Sequence, residues 1–333
     1  MSKKVSIGGQ AVIEGIMMKG PEKTALAVRM PDDTIDIEYI PEKHLRDKFK
    51  FFGLPFIRGI VNFIESMIVG YSVLMKSAEK SGMADLEEES KKSKKDAEKL
   101  ASEQKSAMEK LIGILIVVSS VLGVALSIVL FMYLPALLFD LLNDWTAGAV
   151  SPYKAVFEGL LKMIIFFIYI LLVSKMKDIR RVFEYHGAEH KTIFCYEAEL
   201  PLTVENVRKQ SRFHPRCGTS FMILMLTIGI LLGVALTWLI PALKNPELRF
   251  LWVAIKILLL PITCGVGYEL LRVCGKYDNA LTRIISTPGV WMQRITTKEP
   301  DDSMIEVAIA SLEAVLPETQ EEKIDNDSQA SPE

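Results

Sequence analysis

Cysteine and histidine are both scarce in this chain, which has four of each among its 333 residues. The cysteines lie far apart, so they do not form the closely spaced framework of a secreted disulfide-rich domain. A formal net charge of −2 provides no overall basic field, and we expect no nucleic-acid partner. The segment MSKKVSIGGQ has two lysines but no apolar run behind them, so we expect no signal peptide.

Apolar residues, in contrast, make up 50% of the chain, and its mean hydropathy is +0.26. Four apolar stretches are close to or above the length of about 20 residues that a transmembrane helix needs. They comprise residues 111–139, 159–174, 221–243 and 250–271. Lys162 and Lys256 fall near the ends of their stretches, where we expect the long side chains to reach the membrane surface. We therefore predict transmembrane helices 1 and 2 within residues 111–174, and helices 3 and 4 within residues 221–271.

Residues 51–75 are also apolar but include Arg58 and Glu65. A bare charge in the middle of a bilayer costs about 2.5–3.5 kcal/mol on the insertion scale. We therefore predict an interfacial or re-entrant helix over 51–75 instead of a clean span. Residues 76–110 carry dense charge of both signs, which is typical of a solvated helix or a flexible cytoplasmic linker.

The first 50 residues predict a small cytoplasmic β element. Thr24 to Met30 and Thr34 to Ile40 are strand-like, and the residues from Ile35 to Ile40 alternate with period 2. Pro31-Asp32-Asp33 supplies the turn between them. The preceding stretch, GGQAVIEGIMMKGP, matches neither a P-loop nor a dinucleotide-binding motif. Around Glu14 we favour a bulged strand over a functional turn.

The C-terminal segment 272–316 is predicted to be cytoplasmic and amphipathic, with a turn at Thr287-Pro288-Gly289. Ser303-x-x-Glu306 reads as the capping box of a helix. One apolar face of this helix needs a partner, and we expect either the N-terminal β element or the loop at 175–220 to cover it. This face comprises Met304, Ile305, Ala308, Ile309, Leu312 and Leu316. The acidic tail 317–333 is predicted to be disordered.

Basic residues in the loops predict the orientation in the membrane. The loop at 175–220 holds nine lysines and arginines, whereas the loops at 143–158 and 241–248 hold one each. Because cytoplasmic loops carry the excess of basic residues, we predict that the 175–220 loop and both termini are cytoplasmic.

Three of the four histidines lie in this loop, at His186, His190 and His214. His186-Gly-Ala-Glu189-His190 spells H-x-x-E-H, and residues four apart share one face of a helix, so both imidazoles can reach one ion. Glu189 could take a proton from water at that ion. His214-Pro-Arg-Cys217 offers further ligands that suit zinc. In the alternative interpretation, these side chains only solvate a loop or bind lipid headgroups.

Two features of the loop bear on this site. Glycine inside a helix costs about 1 kcal/mol relative to alanine, so Gly187 weakens a helical H-x-x-E-H motif. If the second span continued straight, His186 would lie about 18 Å beyond Ser174, whereas His214 lies close to the third span. To share an ion, the helix that carries His186 must bend, or the segment that carries His214 must loop outward.

Three long stretches resemble one known family. They are GGQAVIEGIMMKG near the start, YHGAEHKTIFCYE with RFHPRCGTSF in the middle, and TPGVWMQRITTKEPDDSMIEVAIASLE near the end. Together they resemble the YqhQ-like family of bacterial multi-pass membrane proteins of uncharacterised function, over essentially the whole chain except the charged linker and the acidic tail. The resemblance implies a bacterial cell membrane location and a predicted metal-dependent enzyme. It supplies no established catalytic residues.

The predicted fold is an α-helical multi-pass membrane protein with a small cytoplasmic α+β part, and two functions stay open. The first is a membrane-embedded zinc hydrolase facing the cytoplasm. Its metal ligands would be His186, His190, His214 and Cys217, and its general base Glu189. The second is a non-enzymatic scaffold, or a biogenesis or translocation factor, which docks a membrane-protein partner and has a structural metal or none. A transporter is weaker, because the spans show neither paired broken helices nor buried charge networks. The substrate, the metal and the oligomeric state stay open.

Overall fold

The computed structural model describes residues 7–41, 49–82, 118–214, 217–277 and 279–317. Most of the predicted charged linker and nearly all of the predicted acidic tail therefore lie outside the described residues. So do residues 1–6 of the β element and residues 111–117 of the first predicted span.

Four antiparallel strands form a meander in the order β1-β2-β3-β4. They are β1 (Gly8–Val12), β2 (Gly15–Lys19), β3 (Thr24–Arg29) and β4 (Ile35–Ile40). The last two strands and the turn between them lie where the sequence predicts them. The bulged strand predicted around Glu14 is wrong. Val12 pairs directly with Gly15, so Ile13 and Glu14 form a two-residue hairpin turn, and Glu14 has a positive φ of 50°.

The rest of the described chain is mainly helical. In chain order the helices are α1 (Ile57–Lys80), α2 (Val118–Trp145), α3 (Lys154–Val173), α4 (Lys177–Glu197), α5 (Val204–Arg208), α6 (Gly218–Leu239), α7 (Arg249–Leu258), α8 (Leu260–Lys276), α9 (Ala280–Thr296) and α10 (Asp302–Glu313). Short 3-10 turns occupy Lys50–Gly53, Ser151–Tyr153, Pro241–Lys244 and Pro246–Leu248.

Five helical segments of the described chain are long and apolar enough to cross a membrane. They are Ile57–Lys80, Val118–Trp145, Ser151–Val173, Gly218–Leu239 and Pro246–Cys274. Four of them cover the predicted spans, and Ile57–Lys80 covers the stretch predicted to be interfacial or re-entrant. The protein is thus a helical multi-pass membrane protein with a small α+β part, as the sequence predicts.

Other elements cover both faces of the sheet, and the side chains of β3, which point alternately to the two faces, show which elements these are. Ala25 and Ala27 of β3 belong to the core that the sheet shares with α4 and α10. Leu26 and Val28 point to the other face, where they pack with Val73 of α1. The apolar face of α10 therefore packs against both partners that the sequence proposes, the β element and the histidine loop.

Helix α1 follows the sheet in sequence and returns to it at its C-terminal end. Lys80 forms an ion pair with Asp36 of β4 at 2.5 Å, and Lys76 pairs with Glu38. Near its N-terminus, Arg58 pairs with Glu269 of α8 at 2.5 Å. Helix α1 therefore connects the sheet, at its C-terminal end, with α8, near its N-terminal end. The interfacial or re-entrant helix over residues 51–75 stays a prediction.

Two details of the C-terminal segment differ from prediction. The turn predicted at Thr287-Pro288-Gly289 is wrong, since these residues lie inside α9. Gly289 approaches α6 so closely that a β-carbon would lie 2.5 Å from Ser220, so the glycine allows the two helices to pack together there. Helix α10 is capped by Asp301, whose side chain accepts from the Met304 N–H at 2.9 Å, and not by Ser303.

The bundle also contains buried ion pairs, which the sequence analysis did not expect. Asp140 of α2 accepts from Arg249 at 2.6 Å and from the fully buried Lys154 at 3.3 Å. Lys256 lies 2.9 Å from the buried Glu158. The prediction that Lys256 extends to the membrane surface is therefore wrong. Its ammonium lies among the helices, where the buried carboxylate of Glu158 stabilises the charge.

Candidate metal centre

Helix α4 carries the H-x-x-E-H motif. A break at Ser174–Met176 separates α4 from α3, and Met176 has extended φ and ψ angles of −68° and 134°. The chain therefore bends before His186, which is one of the two arrangements that a shared site requires. Gly187 fits this helix because a β-carbon there would overlap the carbonyl oxygen of Lys298. The glycine lets the segment after α9 pass close to the motif.

His186, His190 and Cys217 come together at the start of α6. Their potential ligand atoms all lie within 4.8 Å of one another. His186 Nε2 lies 3.2 Å from Cys217 Sγ, and the two imidazole centroids are 4.4 Å apart. The Cys217 thiol also accepts a hydrogen bond from the backbone N–H of Thr219, at 3.5 Å, and so caps α6. Three of the four predicted ligands therefore share one location.

Backbone carbonyls fix the orientation of both imidazoles. His186 Nδ1 lies 2.9 Å from the Thr296 oxygen, and His190 Nδ1 lies 2.6 Å from the Arg212 oxygen. A carbonyl only accepts hydrogen bonds, so each Nδ1 carries a proton, and Nε2 is the ring nitrogen that each histidine can offer to a metal ion. Histidines that bind metals are oriented in this way by their outer partners.

Burial also favours the neutral form of His190. Burial lowers the pKa of His190, and the charge of His186 lowers it further, although hydrogen bonds with Cys217 and with the Arg212 backbone oppose the shift. A neutral imidazole is the state that binds a metal ion. Position and electrostatics therefore both prepare His190 for this role.

Glu189 is buried beside these residues, with 4% of its surface exposed. Burial raises the pKa of its carboxyl group, whereas His186, His214 and the Gly9 N–H lower it. Its Oε2 atom has no hydrogen-bond partner among the described residues. A buried acceptor without a donor is uncommon, and here it lies next to a set of potential metal ligands.

Gly9 of β1 is the residue of this site that sequence reasoning missed. A β-carbon at Gly9 would lie 2.9 Å from Glu189 Oε1 and 2.8 Å from the Met17 carbonyl oxygen. The backbone N–H of Gly9 therefore reaches the Glu189 carboxylate only because the residue has no side chain. The Gly8-Gly9-Gln10 stretch was the available signal, and only the packing of β1 against α4 gives it a meaning.

His214, the fourth predicted ligand, lies beside the three and not among them. Its backbone is clamped by Gln293, which accepts from the His214 N–H and donates to the His214 carbonyl, both at 2.7 Å. The His214 ring lies 5.6 Å from that of His190, and its Nε2 lies 3.7 Å from Glu197 Oε2. Burial lowers the pKa of His214.

The three side chains suit a zinc ion. Two imidazoles and one thiolate are nitrogen and sulfur ligands of the kind that zinc prefers, and they leave a fourth tetrahedral position open. Two ligands of one zinc lie at most about 4.6 Å apart, twice the Zn–S length of ~2.3 Å. Small side-chain adjustments would therefore bring all three atoms to one ion. The described residues fit the group that the resemblance implies.

Comparison with known proteins identifies relatives of this chain. A family model described as a protein of unknown function, DUF1385, matches residues 54–318. An uncharacterized protein, YqhQ of Bacillus subtilis (strain 168), is 35% identical over 312 residues, which cover 93% of this chain and 92% of that protein. No solved structure matches the chain. Neither description names an activity, so the metal-dependent enzyme implied by the resemblance stays a prediction. The chain belongs to the DUF1385 family of proteins of unknown function, together with YqhQ.

Proposed function

We propose that this protein is a membrane-embedded zinc hydrolase. His186, His190 and Cys217 would hold the ion. The observation that carries the proposal is that Thr296 and Arg212 carbonyls fix both imidazoles with Nε2 facing the thiol. The bound ion would supply Lewis acidity and lower the pKa of water at the open position.

Glu189 has the position of a general base. It lies on α4 between the two histidines, it is buried, and its Oε2 atom is available to accept a proton. The N–H of Gly9 would hold the carboxylate in place and leave Oε2 to act on the reacting group. The contact with Gly9 would thus fix the position of the carboxylate, and Oε2 would remain free to accept the proton.

The proposed location is the bacterial cell membrane, with the site facing the cytoplasm. Basic residues are concentrated in the segment between α3 and α6, and the similar protein YqhQ is bacterial. The substrate class stays open between a peptide bond and a lipid-linked group. Arg212 lies near the site for an anionic group, although it also pairs with Glu299 at 3.4 Å.

The test is the metal content of detergent-purified protein, measured by elemental mass spectrometry. We expect about one zinc or similar ion per chain, and its loss in the His186→Ala, His190→Ala and Cys217→Ser variants. His44→Ala is the matched control, since His44 is the one histidine of the sequence outside the 175–220 loop. Chelator-free wild-type protein without bound metal would refute the site.

Two more variants separate the roles of the neighbouring groups. Glu189→Gln should keep the metal but fail to replace the native copy in cells that lack it. His214→Ala should keep the metal, because His214 lies outside the group of three. Loss of the ion in His214→Ala would instead make His214 a ligand, as the sequence predicts.

A non-enzymatic role with a structural metal is the second candidate. One observation favours it: the site joins segments that are far apart in sequence, namely β1, α4, the loop at Arg212 and the end of α9. An ion there would hold the whole layer together. Full complementation by Glu189→Gln, together with a stoichiometric membrane-protein partner after gentle extraction, would support this scaffold role against the hydrolase.

A further inference from the structure

A cavity of about 350 Å³ lies within the helix bundle, and none of the residues that line it belongs to the metal centre. Helices α2, α3, α6, α7 and α8 contribute to it. Its lining comprises Phe131, Met132, Lys162, Phe166, Met222, Met225, Leu226, Gly229, Gly233, Lys256, Leu259, Leu260 and Thr263. The part that α6 lines, from Met222 to Gly233, extends about 16 Å along the helix axis. The cavity is thus elongated and mostly apolar.

Two lysines interrupt this apolar lining, and they differ in their partners. Lys256 is neutralised by Glu158, whose Oε2 atom also accepts from Trp252 Nε1 at 2.7 Å, and its ammonium lies 3.3 Å from the Met132 carbonyl oxygen. Lys162 forms no ion pair within the described part of the chain. Its charged neighbours there are Glu158, which attracts it, and Lys256, which repels it. The cavity therefore has an excess of positive charge.

Lys162, which carries this excess positive charge, does not lie at the end of its helix, where its side chain could reach the membrane surface. Helix α3 begins at Lys154, so Lys162 lies two turns inside it and not at the end that the sequence suggests. An ammonium in an apolar environment is costly unless an anion accompanies it. An anionic ligand would remove this cost.

Two irregularities of the helix backbone meet at the same cavity. Helix α2 contains a π-helical segment, Val129–Tyr133, which supplies Phe131 and Met132 to the lining. The break between α7 and α8 supplies Leu259 and Leu260. Single π turns occur frequently at functional sites. Irregular backbone at membrane depth is tolerated where it lines a cavity.

We propose that this cavity binds an anionic amphiphile from the membrane. Its carboxylate or phosphate would bind the ammonium of Lys162, and its acyl chain would lie along Met222, Met225 and Leu226. The charge of Lys162 selects an acidic headgroup, and the elongated apolar wall selects a chain. This site is independent of the proposed metal centre.

The test uses lipid-stripped full-length protein in detergent and native mass spectrometry. The probes are phosphatidylglycerol, oleic acid and phosphatidylcholine. We expect one tightly bound acidic lipid per chain, with phosphatidylcholine about tenfold weaker. Selective binding of phosphatidylglycerol would assign a phosphate ligand, and selective binding of oleic acid a carboxylate. Photoreactive analogues should label peptides that contain Met222 and Met225.

Lys162→Met should weaken binding of the acidic lipid about tenfold, because it removes a charge-assisted contact. Lys162→Arg should retain it. Lys175→Met is the matched control, since Lys175 is exposed just beyond the end of the same helix. Equal binding of all three lipids, labelling outside the cavity, or a Lys162→Met protein that loses stability but not affinity would each overturn the proposal.

A second variant keeps the proposal testable if Lys162→Met does not fold. A β-carbon at Gly229 would meet only Thr263, at 3.9 Å, so the backbone there tolerates a side chain. Gly229→Leu should fill the cavity while both lysines remain, and bound lipid should be lost without a change in thermal unfolding. Retention of the lipid in this variant would show that the cavity is not its site.

Discussion

The metal-centre layer and the helix bundle hold their buried polar groups by different means. In the layer of sheet, α4 and α10, His186 and His190 donate to backbone carbonyls of Thr296 and Arg212. In the bundle, side chains partner one another, as Asp140 does with Lys154 and Arg249. Loops and helix ends have spare carbonyls, whereas most carbonyls inside a long helix are already bonded, and the Met132 carbonyl that Lys256 reaches belongs to the π-helical segment of α2. A buried charge in the bundle is therefore stabilised mainly by other side chains. We expect the loss of one such partner to lower the free energy of unfolding more in the bundle than in the layer.

The largest effect is expected for Asp140→Asn. This change leaves Lys154 and Arg249 without their shared carboxylate, and losing one partner of a buried ion pair costs about 3–5 kcal/mol. Thermal unfolding in detergent would show a large downward shift. Glu205→Gln removes the carboxylate of an exposed pair with Lys209 and should leave the unfolding temperature unchanged. Similar shifts for both variants would erase the difference between the two regions.

In the layer, Gly9→Ala should have the next largest effect. The added methyl group would collide with Glu189 Oε1 and the Met17 carbonyl, and such overpacking costs about 1–3 kcal/mol. Gly8→Ala is the matched control, because nothing lies within 4 Å of a β-carbon at that position. Gly9→Ala should lower the temperature of thermal unfolding, whereas Gly8→Ala should leave it unchanged. An unperturbed Gly9→Ala protein would mean that β1 does not clamp Glu189.

A smaller effect is expected at the start of α10. Asp301→Ala removes the cap of the helix, which is worth about 0.5–2 kcal/mol, whereas Ser303→Ala leaves the cap in place. The two substitutions, compared by chemical denaturation, distinguish the observed cap from the one that the sequence predicts. A larger loss for Ser303→Ala would restore the predicted capping box.

The smallest expected effect is a pH dependence where α1 meets β4. Hydrogen bonds from Lys76 and Lys80 hold the pKa of Glu38 below its ordinary value of 4.5. The unfolded chain therefore takes up this proton first as the pH falls. The contribution of these contacts is complete above about pH 4.5 and is lost as the pH drops through the lower folded pKa. The protection of amides in the last turns of α1 against hydrogen exchange, relative to the intrinsic rate at each pH, should fall in that range, and Glu38→Gln should remove this dependence.

Local sequence patterns predicted the parts of the fold that local physics controls. Ile35–Ile40 forms a strand in which apolar and polar residues alternate, Thr24–Arg29 forms one from a short apolar run, and the four spans follow from apolar length alone. The pairing of His186 with His190 follows from helical periodicity, and Cys217 joins them as predicted. Patterns over a few residues gave wrong predictions where tertiary packing determines the backbone conformation, as at Pro288 inside α9 and at the Glu14 turn.

The sequence by itself determined the membrane-spanning helices, the small sheet and the presence of a histidine motif, because length, alternation and helical periodicity are local properties. Only the tertiary structure decided which groups meet. It placed Gly9 against Glu189, aimed both imidazoles at Cys217, and put Lys162 on the wall of a cavity. These contacts join residues far apart in the chain, and no local pattern encodes the distance between them.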